Sequence, residues 1–138
     1  MATTATISLS SDITGDQVSL SSTSTLTKSG SDSTGLDQFT GVNTVLYAAA
    51  QSAATLIAAA DYAATTTVAH KVYIRNASTS TSCYVLVDID STANEPLGRL
   101  YAGDWCFFPW MGTLDIDFTT NETGQTVEFA VISQSIAS

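Results

Sequence analysis

Positive charge is the scarcest property of this 138-residue chain: four Lys and Arg stand against thirteen Asp and Glu, a net charge of −9. Sequence-independent binding to DNA or RNA works through Lys and Arg that neutralise phosphates. Four cations cannot form such a stripe, so nucleic acid is excluded as the expected partner. Long hydrophobic runs are missing too. Nothing approaches the roughly 18 consecutive apolar residues of a membrane-spanning helix, and no membrane partner is expected. Met1-Ala-Thr-Thr-Ala-Thr has neither the basic n-region nor the apolar h-region of a secretory signal, so the expectation is synthesis and folding in the cytoplasm. Only two cysteines occur, Cys83 and Cys106, and both fall inside apolar strand patterns where the thiol acts as a small hydrophobe. Free buried thiols are expected rather than a disulfide.

Catalytic constellations are equally thin. The one histidine, His70, opens a strand pattern with no Cys or Ser at a nearby catalytic spacing, which marks it as a satisfied or surface histidine rather than a general base. No serine lies in a Gly-x-Ser-x-Gly elbow and no glycine loop cradles a phosphate. Two Asp-Ile-Asp repeats place Asp88 with Asp90, and Asp115 with Asp117, each on one face of a strand. Calcium loops supply oxygen ligands from flexible turns with a Gly and a terminal Glu, which these lack, so the simpler reading is that the acids keep the outer sheet face wet. Paired carboxylates also serve glycosidases, but no aromatic, polar cleft accompanies them. Asn76-Ala-Ser78 and Asn121-Glu-Thr123 match the glycosylation pattern and read as turns. The chain is read as a non-enzyme with no cofactor and no metal.

What the sequence does have is alternation. In His70-Lys-Val-Tyr-Ile-Arg-Asn76, Val72 and Ile74 face inward. After a polar turn at 76–82, Cys83, Val85, Val87 and Ile89 line a second strand, the natural hairpin partner of the first. A turn follows at 91–96; Leu114, Ile116 and Phe118 alternate next, and Val127, Phe129 and Val131 form the inward face of a last strand over 126–132. The alanine-rich stretch 42–69 has helical composition. Its β-branched groups and lack of charged i,i+4 pairs favour strands with a short helical or turn piece. Strands every 8–12 residues or so, separated by turn signals, predict an all-β fold, an antiparallel sandwich or barrel of jelly-roll type.

Residues 1–41 differ from the rest. They are dominated by Ser, Thr, Gly and Asp, with sparse apolar residues at period two: Ile7 with Leu9, and Val18 with Leu20 and Leu26. They read as an extended Ser/Thr-rich N-terminal arm or as edge strands, with a flexible loop over 28–35, ahead of a β-sandwich domain over 42–138. An arm of this kind orders when it lies on a partner.

The densest signal runs from Gly98 to Trp110 and holds both tryptophans. Trp105 and Phe107 share a parity and are expected inward, which leaves Phe108 and Trp110 outward unless Pro109 breaks the pleat; Pro109 is also expected to end the strand. One sheet face cannot take all four rings while alternation holds. Tyr101, Trp105, Phe108 and Trp110 are therefore the candidate interface residues, since buried Trp and Tyr anchor protein contacts.

The succession Lys71-Val-Tyr-Ile-Arg-Asn76, Tyr84-Val-Leu-Val-Asp88, Leu100-Tyr-Ala-Gly-Asp-Trp105, Phe108-Pro-Trp110 and Thr126-Val-Glu-Phe129 resembles the small β-sandwich virion proteins of tailed bacteriophages, especially head decoration or cement proteins. The resemblance covers about half the chain and is a pattern rather than a diagnostic motif. It implies a non-enzymatic structural protein on the outer capsid surface of the virion, made in the host cytoplasm, with the major capsid protein as partner and a homo-oligomer, first of all a trimer, as its state. A tail, neck or fibre component is the alternative within virions. A carbohydrate-binding β-sandwich module, with Trp105, Trp110 or Tyr101 stacked on sugars, is the alternative of another class.

Overall fold

The computed structural model describes residues 2–10, 19–27, 34–65, 67–90 and 96–136. Eleven strands run along the described chain: β1 Ala2–Ser10, β2 Ser19–Thr27, β3 Thr34–Phe39, β4 Asn43–Tyr47, β5 Ala54–Ile57, β6 Val68–Asn76, β7 Tyr84–Ile89, β8 Pro96–Tyr101, β9 Trp105–Trp110, β10 Ile116–Thr120 and β11 Gln125–Ile136. A single 3-10 turn, Ala59–Asp61, interrupts them. The fold is an all-β sandwich of antiparallel sheets, as the alternation predicts.

One sheet has the order β5-β10-β7-β8; the other runs β3-β11-β6-β9. The twelve-residue β11 is the organising strand. One side of it pairs with β6, and the other is shared by β4, over Gln125 to Phe129, and β3, over Ile132 to Ile136. Thr40 bridges the gap between these two partners. Its N–H donates to the Val131 carbonyl at 3.1 Å and its Oγ1 accepts from the Val131 N–H at 3.0 Å.

Burial follows the period of two. Val72 and Ile74 of β6 meet Val127 and Val131 of β11 on the inner face, opposite Val85 and Val87 of β7 and Ile116 and Phe118 of β10. All of these are essentially inaccessible, so each contributes about 1.5–3 kcal/mol of transfer free energy. Leu56, Ile57 and Trp110 complete the core, and Phe129 packs against it. Leu114, expected inside, is exposed, because β10 starts only at Ile116 and the preceding loop turns at Gly112 with φ +76°.

Three sequence expectations are corrected. First, β6 and β7 are not a hairpin: β6 pairs with β9 and β11, whereas β7 pairs with β8 and β10 in the facing sheet. The polar stretch after Asn76 carries the chain across the sandwich. Asn76 fixes that crossing from a fully buried position. Its Nδ2 donates to the Leu100 carbonyl at 3.1 Å, and its Oδ1 accepts from the Ser78 N–H at 3.1 Å. Second, Pro109 does not end β9; it sits within that strand opposite Lys71. β9 pairs only with β6 among the described residues, and an edge strand tolerates the missing N–H. Third, the parity of β9 is the reverse of that expected. Cys106, Phe108 and Trp110 face Ile74, Val72 and His70 on the core side, while Trp105 and Phe107 face outward with Arg75 and Tyr73.

The alanine-rich stretch forms β4, β5 and the 3-10 turn. In the N-terminal segment, β3 belongs to the sandwich through β11, and the part that stands apart is the two-stranded sheet of β1 and β2. The loop expected over 28–35 lies outside the described residues except for its last two, which belong to β3. The turn expected over 91–96 lies outside them except for Pro96, and so does Val18.

Candidate assembly interface

Four of the large apolar side chains exposed among the described residues, Ile7, Leu9, Leu20 and Trp105, fall on two neighbouring surfaces. The first is the β1–β2 hairpin, where nine residue pairs run without a register shift from Ala2 opposite Thr27 to Ser10 opposite Ser19. Leu9 stands directly opposite Leu20, and Ile7 opposite Ser22, so the three aliphatic residues share one face of the hairpin. They are 56%, 53% and 39% exposed for Leu9, Leu20 and Ile7. The other face carries hydroxyls, and Thr6 and Thr23 join their Oγ1 atoms at 3.0 Å.

The second surface is the outer face of β9 and β6. Trp105, 51% exposed, stands beside Arg75, and the next strand adds Glu128 to the same row. The Arg75 guanidinium reaches Glu128 at 3.3 Å, and the Tyr73 ring lies 6.4 Å from the Trp105 ring. An open groove of about 260 Å³ runs between the two surfaces, lined by Ala5, Thr6, Ile7, Tyr73, Trp105 and Phe107.

The four candidate interface residues separate accordingly. Trp105 is on the groove, and Tyr101, also half-exposed, lies on the outer face of the other sheet opposite Tyr84, whose ring carries the Arg99 guanidinium 4.2 Å from its centroid. Phe108 is half-buried and lines an apolar cleft of about 370 Å³ between the edge strands β8 and β9, with Val87, Ile89, Leu97, Leu100 and Cys106. Trp110 is buried in the core. Its Nε1–H donates to the Leu114 carbonyl at 3.0 Å, and its ring packs edge-on against Tyr62. Tyr73, Phe107 and the hairpin's aliphatic face were not singled out as interface residues by sequence reasoning. The available signal was the period-two spacing of Ile7 with Leu9 and of Leu20 with Leu26, each within a strand free of charged residues.

The groups with catalytic potential are placed as structural ones. His70 is 2% exposed; its Nε2–H donates to the Ala63 carbonyl at 2.8 Å, so its Nδ1 accepts from the Ser133 hydroxyl at 2.7 Å. Ser133 is itself buried. Contrary to expectation, the aspartates do not all wet the outer face. Asp88 and Asp117 stand directly opposite each other on β7 and β10 and are both buried, while Asp115 accepts from the Ala59 N–H at 2.8 Å. Among the described residues, no three His, Cys, Asp or Glu side chains converge to hold a metal ion. Both cysteines are free, and burial pushes both thiols up from their ordinary pKa. The Asn76 side chain is buried in hydrogen bonds, and that of Asn121 donates to the Ser82 carbonyl at 2.9 Å. No helix among the described residues is long and apolar enough to cross a membrane.

Comparison of the chain with models of protein families, with curated proteins and with solved structures finds no significant match.

Proposed function

We propose that the protein is a non-enzymatic virion structural protein that binds and stabilises an assembled phage capsid as a decoration or cement protein. The observation that carries this reading is the separate two-stranded sheet of β1 and β2, whose strands hold no charged residue and present exposed Ile7, Leu9 and Leu20 beside exposed Trp105. A sandwich with an added apolar two-stranded sheet has the parts that assembly on a repeating surface requires, where weak contacts are multiplied over many copies. Its partners are then the major capsid protein and further copies of itself, a trimer first of all, and its location is the capsid surface.

Mass spectrometry of purified particles from the source, with gold-labelled antibody in electron microscopy, tests this. The expected result is the intact chain in many copies per particle and gold on the head. Gold confined to the tail or neck would favour a tail, neck or fibre component, and absence from particles would overturn the virion reading. One observation favours a carbohydrate-binding module as a second reading. The cross-strand row of Trp105, Arg75 and Glu128 sets a stacking ring next to a hydrogen-bond donor and acceptor. Binding of neutral oligosaccharides that Trp105→Ala abolishes would support it.

A further inference from the structure

The edge strands β8 and β9 belong to different sheets and do not pair with each other. Among the described residues β8 pairs only with β7, and β9 only with β6. Asn76 ties them together at one end. Its carbonyl accepts from the Gly103 N–H at 2.8 Å, its N–H donates to the Asp104 carbonyl at 3.0 Å, and its Nδ2 reaches the Leu100 carbonyl at 3.1 Å. Between the two strands lies the apolar cleft of about 370 Å³.

Gly98 makes this cleft. Cross-strand partners share a face of the sheet, so a side chain at position 98 would stand beside Val87, which is 2% exposed on the core side. The two usual demands for a glycine do not apply here. Its φ lies outside the left-handed region, and a Cβ there would meet no atom within 4 Å. What the glycine does is leave space at a position where the core would otherwise take a side chain. Its neighbour Leu97 is the extra residue of a bulge, since Val87 pairs with Gly98 and Asp88 with Pro96. Leu97 lines the cleft and is nevertheless 56% exposed. Such a slot departs from the close packing of protein interiors, where few voids exceed the size of a water molecule.

The walls define the body of a ligand. Ile89 and Leu100 stand on one side, Cys106 and Phe108 on the other. Water finds few polar partners in such a place, and the volume falls in the range of small-molecule sites, about 300–1,000 Å³. The head of the ligand is defined by Arg99, the one charged residue along the cleft. It is exposed, its guanidinium lies 4.2 Å from the centroid of the Tyr84 ring, and among the described residues it pairs with no carboxylate. In a chain with thirteen acids and four bases, an uncompensated cation beside an apolar slot selects an anionic end. We propose that the cleft binds one aliphatic carboxylate, with its hydrocarbon chain between β8 and β9 and its carboxylate toward Arg99. The inference is independent of the assembly reading.

Titration calorimetry on the full chain with monomeric decanoate provides the test, and one molecule bound per chain is the expected result. In a series from hexanoate to tetradecanoate the affinity should rise about fourfold per methylene and then level off once the cleft is full, a readout that needs no variant. Gly98→Leu, which fills the slot, is expected to abolish binding without lowering the melting temperature. Arg99→Gln should weaken decanoate by about two- to fivefold, the range of an exposed ion pair, and leave decanol unchanged. Decanoate at about ten times its Kd should slow the reaction of Cys106 with N-ethylmaleimide about tenfold. No binding of decanoate, an affinity that rises through the whole series, or a folded Gly98→Leu chain that binds like wild type would each overturn the proposal. Equal loss of decanol and decanoate in Arg99→Gln would do the same for the role of the charge. Association with phosphatidylglycerol vesicles without binding of decanoate would make the ligand a membrane and also overturn it. Absence of the chain from purified particles would sink the virion role and leave decanoate binding untouched.

Discussion

His70 accepts a hydrogen bond from the Ser133 hydroxyl at Nδ1 over 2.7 Å, in an interior where neither residue reaches solvent to any useful extent. The direction is dictated from the far side of the ring, where the Ala63 carbonyl can only accept and so fixes the proton on Nε2. The imidazole thereby clamps the segment after the 3-10 turn to β6 and β11. Gly112 closes the other side: a Cβ there would sit 3.0 Å from His70 Cδ2. Ser133→Ala leaves a buried ring nitrogen without its partner, and the expected loss is about 1–3 kcal/mol, read as a lower denaturant midpoint with unchanged slope. A midpoint equal to wild type would show that the hydroxyl is dispensable.

Asp88→Asn is expected to stabilise the protein. Asp88 and Asp117 are cross-strand neighbours on one face, both are buried, and Asp88 Oδ1 has no hydrogen-bond partner. Like charges placed directly opposite each other across a ladder oppose folding by roughly 0.2–1 kcal/mol. Removal of one charge at neutral pH should raise the melting temperature by an amount of that order. A lower melting temperature would mean that the carboxylate is held by something the asparagine cannot replace.

Alkaline pH should weaken the fold through two phenols. Burial raises the pKa of Tyr47 above the ordinary 10.0, and burial together with the neighbouring Asp61 carboxylate does the same for Tyr62. A folded-state value above the unfolded one means that the stabilisation is fully present below the unfolded value of 10.0 and is lost as pH rises through the folded value. The melting temperature should therefore be insensitive to these groups up to about pH 10 and decline above it. Tyr62→Phe should make that decline shallower; an identical decline in the variant would remove Tyr62 from the account.

The sandwich was legible where strands alternate cleanly. Val72 with Ile74, Val85 with Val87, and Val127 with Val131 lie on the core side, as their spacing demands. Periodicity reports which face of a strand is buried but says nothing about its partner, which is why β7 was placed beside β6 rather than across from it. It also fails where consecutive residues are all apolar. In Trp105-Cys-Phe-Phe-Pro-Trp110 either parity offers a plausible core, and ring size misleads, since Cys106 is turned inward and Trp105 outward. The burial of Asp88 and Asp117 left no trace in the sequence, because an acid alternating with core residues looks the same whether its own face is wet or covered. Of the candidate interface, the exposure of Tyr101 and Trp105 and the burial of Trp110 depended on those same choices of parity and register.

The central place of β11 sets a timetable for synthesis. Among the described residues, β3 and β4 have no partner other than β11, and β6 has only β9 besides it. All three precede it by many residues, so β3 and β4 cannot pair, and β6 can pair only with β9, until residues 125–136 have emerged from the ribosome. Until then the nascent chain carries unpaired strands with little charge to keep them apart, the state in which non-local β-proteins are slowest and most prone to aggregate. Completion of the sheet organised by β11 is thus a late event, and chaperones that hold extended segments would act on β3 and β4 in the interval before β11 emerges.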